Sequence, residues 1–296
     1  MDKKKRRKKI KLSDILLHLF FVVVTIICIY PILLIVFNAF SSEAYIQANG
    51  YVAWPKEFST EAFAFLFQNS TELINATIVS CVSAIGGGLF SVIVSAMIGY
   101  SLTRLSVVPK RIITVILTIT MFFNAGLIPT YMVNTTVYHL ENSWILYIVN
   151  GSVTAFNVFV YRTFFNQIPF SLIESAEIDG ASHMQIFGKI VLPLSMPIMA
   201  TQLFLNICLR WKDYTTSLYY MTDQKMVTLE YYILQILKDA NIMKDSLLAI
   251  GIPADSIPLE TMRFATVLFT LVPMFIMFPF MQRYFKKGAV VGAVKG

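Results

Sequence analysis

Charge is what this chain has least of. Asp, Glu, Lys and Arg make up only 14% of its 296 residues, against about 25% in a soluble globular domain. Cysteine is nearly absent too. Cys28, Cys81 and Cys208 each lie inside an apolar segment, where they read as small hydrophobes rather than as a disulfide framework. His18, His139 and His183 are scattered and adjoin no acidic or thiol partner, so no metal site is expected. There is no His-Glu-x-x-His, no Gly-x-Ser-x-Gly and no phosphate-binding Gly-rich loop. No catalytic residue is therefore assigned, and the chain is not expected to be an enzyme or to hydrolyse ATP itself.

What is abundant is hydrophobicity. Apolar residues reach 56% and the mean hydropathy is +0.67. Several runs attain the roughly 20 residues needed to cross hydrocarbon. The expected fold class is an all-α, multi-pass membrane protein, with spans near 15–40, 73–102, 112–133, 144–164, 194–211 and 264–285. Pro31 in the first span, and Pro273 and Pro279 in the sixth, can kink a membrane helix whose freed backbone groups find neighbours. Gly86-Gly87-Gly88 in the second span permits close helix approach or a bend.

The net charge is +7. Eight of the 24 basic residues fall within the first eleven positions, which fits an anchor beside anionic membrane lipid rather than a nucleic-acid patch. The apolar segment that follows is longer than the about 7–15-residue core of a signal peptide, so it reads as a retained first span. With the N-terminus inside, seventeen basic residues face the cytoplasm, and seven (Lys56, Arg210, Lys212, Lys225, Lys238, Lys244 and Arg263) face outward. This split predicts both termini in the cytoplasm. The organisation expected is a basic tail over 1–14, a first span with an external loop over 15–72, a transport core over 73–285 and a C-terminal tail over 286–296. In the external stretch 212–263, Leu229, Ile233, Ile236 and Leu237 recur at helical spacing, with Leu247 and Leu248 beyond. They predict a surface helix ending near Gly251-Ile252-Pro253, lying on the membrane or forming a lip for an external protein.

A polar island between the fourth and fifth spans carries the strongest signal. Pro169 suits a helix start. Leu172, Ile173 and Ala176 form an apolar stripe, while Glu174, Glu177 and Asp179 face elsewhere. Gly180 is placed to take the left-handed conformation that ends a helix. Ser182 with Gln185 three residues later fits a capping box, a second helix runs to Ile190, and Pro193 marks entry to the next span. Two short helices with a tight bend are expected.

The spacing is Glu174-Ser175-Ala176, three residues, Gly180, nine residues, then Ile190-x-Leu192-Pro193. It resembles the loop by which permease subunits of bacterial ATP-binding-cassette importers dock onto their ATPases. The likeness is to carbohydrate permeases of the maltose type and covers about residues 73–283 as a six-span core of the type I permease fold. Ser175 stands where a second Ala is usual, and Asp179 before Gly180 agrees with sugar permeases. The ending Gly292 to Gly296 resembles the tail of the shorter maltose-type permease. Tyr30-Pro31 and Phe37 to Ser41 look like the branch that imports complex oligosaccharides, uronic-acid-containing ones included. The resemblance implies a bacterial cytoplasmic-membrane protein, a second homologous permease in a heterodimer, two cytoplasmic ATPases that hold ATP and Mg, and an external sugar-binding protein. It implies no cofactor on this chain. It assigns ATPase coupling to Glu174, Ser175, Ala176, Asp179, Gly180, Ile190, Leu192 and Pro193, and ATPase contact to Val294, Lys295 and Gly296.

Two other classes were weighed. An ion-coupled secondary transporter usually holds ionisable groups near the bilayer centre. Here Arg162, Arg210, Arg263 and Arg283 lie at span ends and no Asp or Glu lies mid-span. A non-transporting scaffold would not copurify with ATP hydrolysis. Asn124, Asn150, Asn157, Asn206, Trp211 and Tyr214 are polar or aromatic groups in or near spans. They are candidates for the sugar pathway or, equally, for joining helices.

Overall fold

The computed structural model describes residues 12–68, 70–249 and 257–293. The basic run 3–11, the helix end expected at 251–253 and the tail residues Val294, Lys295 and Gly296 lie outside the described residues. Among the described residues the regular elements are all helices, with one isolated antiparallel bridge between Ser41 and Phe58. In order the helices are α1 (Leu12–Ala39), α2 (Glu43–Asn49), α3 (Glu61–Leu66), α4 (Thr71–Arg104), α5 (Val107–Phe122), α6 (Leu127–Val137) and α7 (Trp144–Val149). They continue as α8 (Ala155–Phe165), α9 (Phe170–Ile178), α10 (His183–Leu194), α11 (Met196–Trp211), α12 (Thr215–Tyr220), α13 (Leu229–Ala249) and α14 (Leu259–Ala293).

Three helices are long and apolar enough to cross a membrane singly: Ser13–Ala39, Thr71–Arg104 and Leu259–Pro279. The expected third span is instead a bent pair, α5 and α6, turned by 118°. Hydropathy cannot see this break, because its cause is backbone geometry. Asn124 Oδ1 accepts from the Gly126 N–H at 3.0 Å, and Gly126 takes φ +85°. Pro129 then falls in the first turn of α6, where no backbone donor is missed. The fourth expected span breaks in the same way between α7 and α8. Gly151 takes φ +65°, and the Thr154 hydroxyl caps α8 by accepting from Asn157 N–H. The fifth span is entered through a bend of 82° between α10 and α11. The sixth begins at Leu259, five residues earlier than the hydropathy suggested.

The chain divides into two compact units. One takes the described residues through Gln68 together with Leu237–Phe269. In it, Asn38 brackets Val52, donating to its carbonyl at 3.0 Å and accepting from its N–H at 2.9 Å. Glu43, 3% exposed, accepts from Glu260 N–H, Thr261 N–H and the Thr261 hydroxyl at 2.8–3.0 Å. The carboxylate thereby satisfies the orphan donors at the start of α14 and complements its dipole.

The second unit takes the described residues from Ser70 to Ile236 and from Thr270 onward, and α4 is its spine. Its glycines act as two devices. Val82–Gly86 winds as a π-helical turn, a local distortion common at functional places. Gly87, Gly88 and Gly99 are close-approach points. A Cβ on Gly88 would lie 3.0 Å from Ile207 of α11, and one on Gly99 would lie 2.8 Å from Tyr161 Cβ of α8. Small residues let membrane helices meet at backbone distance. Ser91 ties the same interface, donating to Asn206 Oδ1 at 3.0 Å. In α13, Leu229 and Ile233 are buried and Ile236 and Leu237 half-buried, so the predicted apolar face is packed over the first part of the helix, whereas beyond it Leu247 is half-buried and Leu248 is exposed.

Candidate functional site

The 169–193 loop folds as its residue pattern demands. Helix α9 ends in a left-handed Gly180, φ +80°. Ala181 N–H donates to Ala176 O at 2.9 Å and Gly180 N–H to Glu177 O at 3.0 Å. That pair of bonds is the Schellman closure, which satisfies two carbonyls at the helix end. Two residues on, Ser182 Oγ accepts from Gln185 N–H while Gln185 Oε1 accepts from Ser182 N–H at 2.8 Å. This is the reciprocal capping box that opens α10. The bend is therefore rigid by local bonds alone.

Its buried face is anchored by Ile173, Ile186, Phe187 and Val191. They share a core with Val92, Ala96 and Tyr100 of α4 and with Tyr161 and Phe165 of α8. Ala176, Ile190 and Leu192 pack against this core half-buried. Arg104, at the end of α4, lies 5.7 Å from the ring centroids of both Tyr100 and Phe170, so a guanidinium joins the spine to the first residue of α9. Glu174, Ser175, Glu177, Asp179, Gly180 and Pro193 are exposed. Beside them stand exposed Phe170, Leu172, Ile178 and Met184, with Ile178 at 81%. The eight predicted coupling residues thus fall on one loop, three packed inward and five facing out.

A second feature is an open cleft of about 880 Å³ within the same unit. Asn150, Asn157, Asn206 and Tyr214 all line it. Two other candidates do not. Asn124 sits exposed at the α5–α6 break, where its side chain makes the turn. Trp211 is buried, donates its indole N–H to Thr270 O at 3.0 Å, and borders a separate apolar cavity of about 80 Å³ beside Cys81 and Cys208.

The cleft's organiser was not anticipated. Arg210 Nη1 donates to Tyr147 O at 2.6 Å, and Nη2 donates to Asn150 O at 3.2 Å and to Ser152 Oγ at 2.5 Å. The guanidinium thus caps the C-terminal end of α7 across the break, where a cation meets free carbonyls and the negative end of the helix. Gly87 makes room for it: a Cβ there would stand 2.4 Å from Nη1. A sequence signal did exist. Gln202, Asn206 and Arg210 repeat every four residues and so place one polar stripe along α11, and all three line the cleft. Lys212 and Asp213 follow at its edge. The Asp213 carboxylate turns onto the start of α12, accepting from the N–H and hydroxyl groups of Thr215 and Thr216 at 2.5–3.1 Å. Among the described residues no group of three or more His, Cys, Asp or Glu is placed to hold a metal.

Comparison with known proteins places this architecture. Residues 91–291 match the family described as binding-protein-dependent transport system inner membrane component. The polygalacturonan/rhamnogalacturonan transport system permease protein YtcP of Bacillus subtilis (strain 168) is 30% identical over 289 residues, covering 97% of this chain and all of the relative. The arabinooligosaccharides transport system permease protein AraQ of the same organism is 26% identical, covering 95% of this chain and 96% of its own. A solved chain from a bacterial ABC transporter involved in the import of the acidic polysaccharide alginate superposes with a TM-score of 0.78 at 24% identity, covering 94% of this chain and all of that one. The chain has the fold of an ABC importer permease and is a membrane-embedded protein. It belongs to the family of binding-protein-dependent transport system inner membrane components.

Proposed function

We propose that this chain is one permease subunit of an ATP-driven importer that moves an oligosaccharide across the bacterial cytoplasmic membrane. It pairs with a second, homologous permease. An external sugar-binding protein delivers the cargo, and two cytoplasmic ATPases bind ATP and Mg and supply the work. Both termini face the cytoplasm, as the distribution of basic residues favours. Relatives named for polygalacturonan/rhamnogalacturonan, arabinooligosaccharide and maltodextrin transport supply the substrate class.

The observation that carries the coupling role is the build of the 169–193 loop. One face is keyed into the core between α4 and α8, and the bend is fixed by the Schellman closure and the capping box. The other face offers exposed Phe170, Leu172, Ile178 and Met184 among Glu174, Glu177 and Asp179. Such a lever can pass a push from a docked ATPase to the spanning helices without bending. Glu174 would accept charge-assisted hydrogen bonds from the ATPase groove, and the tail with Val294, Lys295 and Gly296 would thread between the ATPases. Asn157, Asn206 and Tyr214 would face the sugar path.

The test is reconstitution in proteoliposomes with a second permease, the ATPase subunits and an external sugar-binding protein. ATP-dependent sugar uptake is expected, and Glu174→Ala should lower uptake and ATPase retention together. Sugar uptake by this chain alone, driven by a proton gradient, would defeat the proposal.

A further inference from the structure

Two helix breaks line the cleft. Asn150, Gly151 and Thr154 come from the one between α7 and α8, and Lys212 to Thr216 from the turn between α11 and α12. Both are tied to Tyr147, a buried residue of α7. Its carbonyl accepts from Arg210 at 2.6 Å. Its hydroxyl donates to Met226 O at 2.6 Å and lies 2.9 Å from Ser217 Oγ of α12. Ser217 Oγ in turn lies 2.9 Å from the Thr228 hydroxyl and accepts from Thr228 N–H at 2.8 Å. The Thr228 hydroxyl donates to Asp213 O at 2.8 Å. Ser217 and Thr228 are fully buried. The chain of hydroxyls thus starts on α7 and ends on the backbone of a residue that lines the cleft, all within one compact unit.

These three hydroxyls carry three protons but make four contacts, two with carbonyls and two with each other. With both carbonyls served, Ser217 has one proton to give, either to Tyr147 or to Thr228. Apolar groups of the same shape would fill this space at similar stability. What they would not do is fix one arrangement, which is the property of a connected polar network.

We propose that Tyr147 is a positioning residue for sugar passage: through Ser217 and Thr228 its hydroxyl holds the 213–216 wall of the cleft at a set place against the α7–α8 break. A wall so held makes closure depend on the sugar between the breaks. A wall free to slide lets the assembly turn over without cargo. This inference rests on the importer reading, with the cleft as the sugar path, and adds to it a residue that does not line that path.

The experiment measures sugar imported per ATP hydrolysed in proteoliposomes holding the complete assembly. The probes are trigalacturonate, arabinotriose and maltotriose, and the one taken up fastest by the wild type is used for every variant. The ratio is independent of the fraction of folded protein, so a loss of stability alone does not move it. Tyr147→Phe should lower it by roughly two- to tenfold, the range for one neutral hydrogen bond. Thr228→Val, which keeps the shape and removes the hydroxyl, should lower it similarly, and Thr228→Ser should retain it. Each single change leaves Ser217 one acceptor, but Tyr147→Phe with Thr228→Val leaves it none, so the double variant should fall by more than the product of the two singles. Tyr219→Phe, which removes an exposed hydroxyl outside the chain, should leave the ratio unchanged. Uptake and ATP hydrolysis that fall in proportion in Tyr147→Phe and Thr228→Val overturn the inference, as does a double variant equal to the product of the singles. A wild type that imports none of the probes at the expense of ATP overturns the importer reading and this inference with it, whereas coupled uptake at the wild-type ratio in both variants overturns the inference alone.

Discussion

Replacing Gly87 with alanine puts a methyl carbon where the Arg210 guanidinium lies. The new Cβ would stand 2.4 Å from Nη1, 2.6 Å from Cζ and 2.8 Å from Nε, whereas carbon contacts settle near about 3.5 Å. The guanidinium must retreat by roughly 1 Å, and its bonds to Tyr147 O, Asn150 O and Ser152 Oγ, now 2.6, 3.2 and 2.5 Å, cannot all survive. Hydrogen bonds to a charged group contribute about 1.5–3 kcal/mol each, so losing two costs about 3–6 kcal/mol. Alanine returns about 1 kcal/mol through helix propensity. The net loss is about 2–5 kcal/mol, a fall in Tm on the order of 5–15 °C. Thermal unfolding of the purified protein in detergent, followed by circular dichroism, measures it. The decisive control is the same change in an Arg210→Met background, where the methyl group displaces no hydrogen-bonded head. There, Gly87→Ala should be neutral or slightly stabilising. An equal loss in both backgrounds, or no loss in the wild type, would refute the account of Arg210 as the clasp of the α7–α8 break.

Two further outcomes follow from single positions. Nothing lies within 4 Å of a Cβ built on Gly180, so the cost of a substitution there comes from backbone conformation alone, about 1–2 kcal/mol for an ordinary residue at positive φ. Gly180→Val should uncouple ATP hydrolysis from uptake while the protein still inserts, and Gly180→Asn should be milder; equal coupled uptake in both variants and the wild type would remove the bend from the mechanism. Burial raises the pKa of the Glu230 carboxyl, with Lys212 opposing. A raised folded-state value means that the charged form costs stability, a cost absent well below the unfolded value near about 4.3 and growing as pH rises through the folded value. Glu230→Gln should therefore raise Tm at neutral pH, with the gain shrinking toward zero near about pH 4; a pH-independent difference in the melts would contradict this.

Features whose cause is local were legible in the chain alone. The low charge and long apolar runs dictated a helical membrane protein, because hydrocarbon leaves no other way to satisfy the backbone in an apolar span. Gly180, Ser182 and Gln185 dictated the bend and its caps, since every bond involved closes within six residues. The breaks in the third and fourth spans were hidden from hydropathy, because Phe123–Gly126 and Asn150–Thr154 differ from their flanks in φ and in turn bonding more than in polarity. The polar stripe of Gln202, Asn206 and Arg210 was visible as a spacing but had no meaning without partners. Those partners lie far off in sequence: Tyr147, Asn150 and Ser152 are 58–63 residues from Arg210, and Ser91 is 115 from Asn206. Tertiary structure alone decided which candidates share the cleft and sent Trp211 to a separate apolar cavity, whereas Asn124 is held at its turn by a bond only two residues long. The physical reason is that a helix fixes only the face a residue occupies, while what that face meets is set by the close approach of other helices, here governed by Gly87, Gly88 and Gly99.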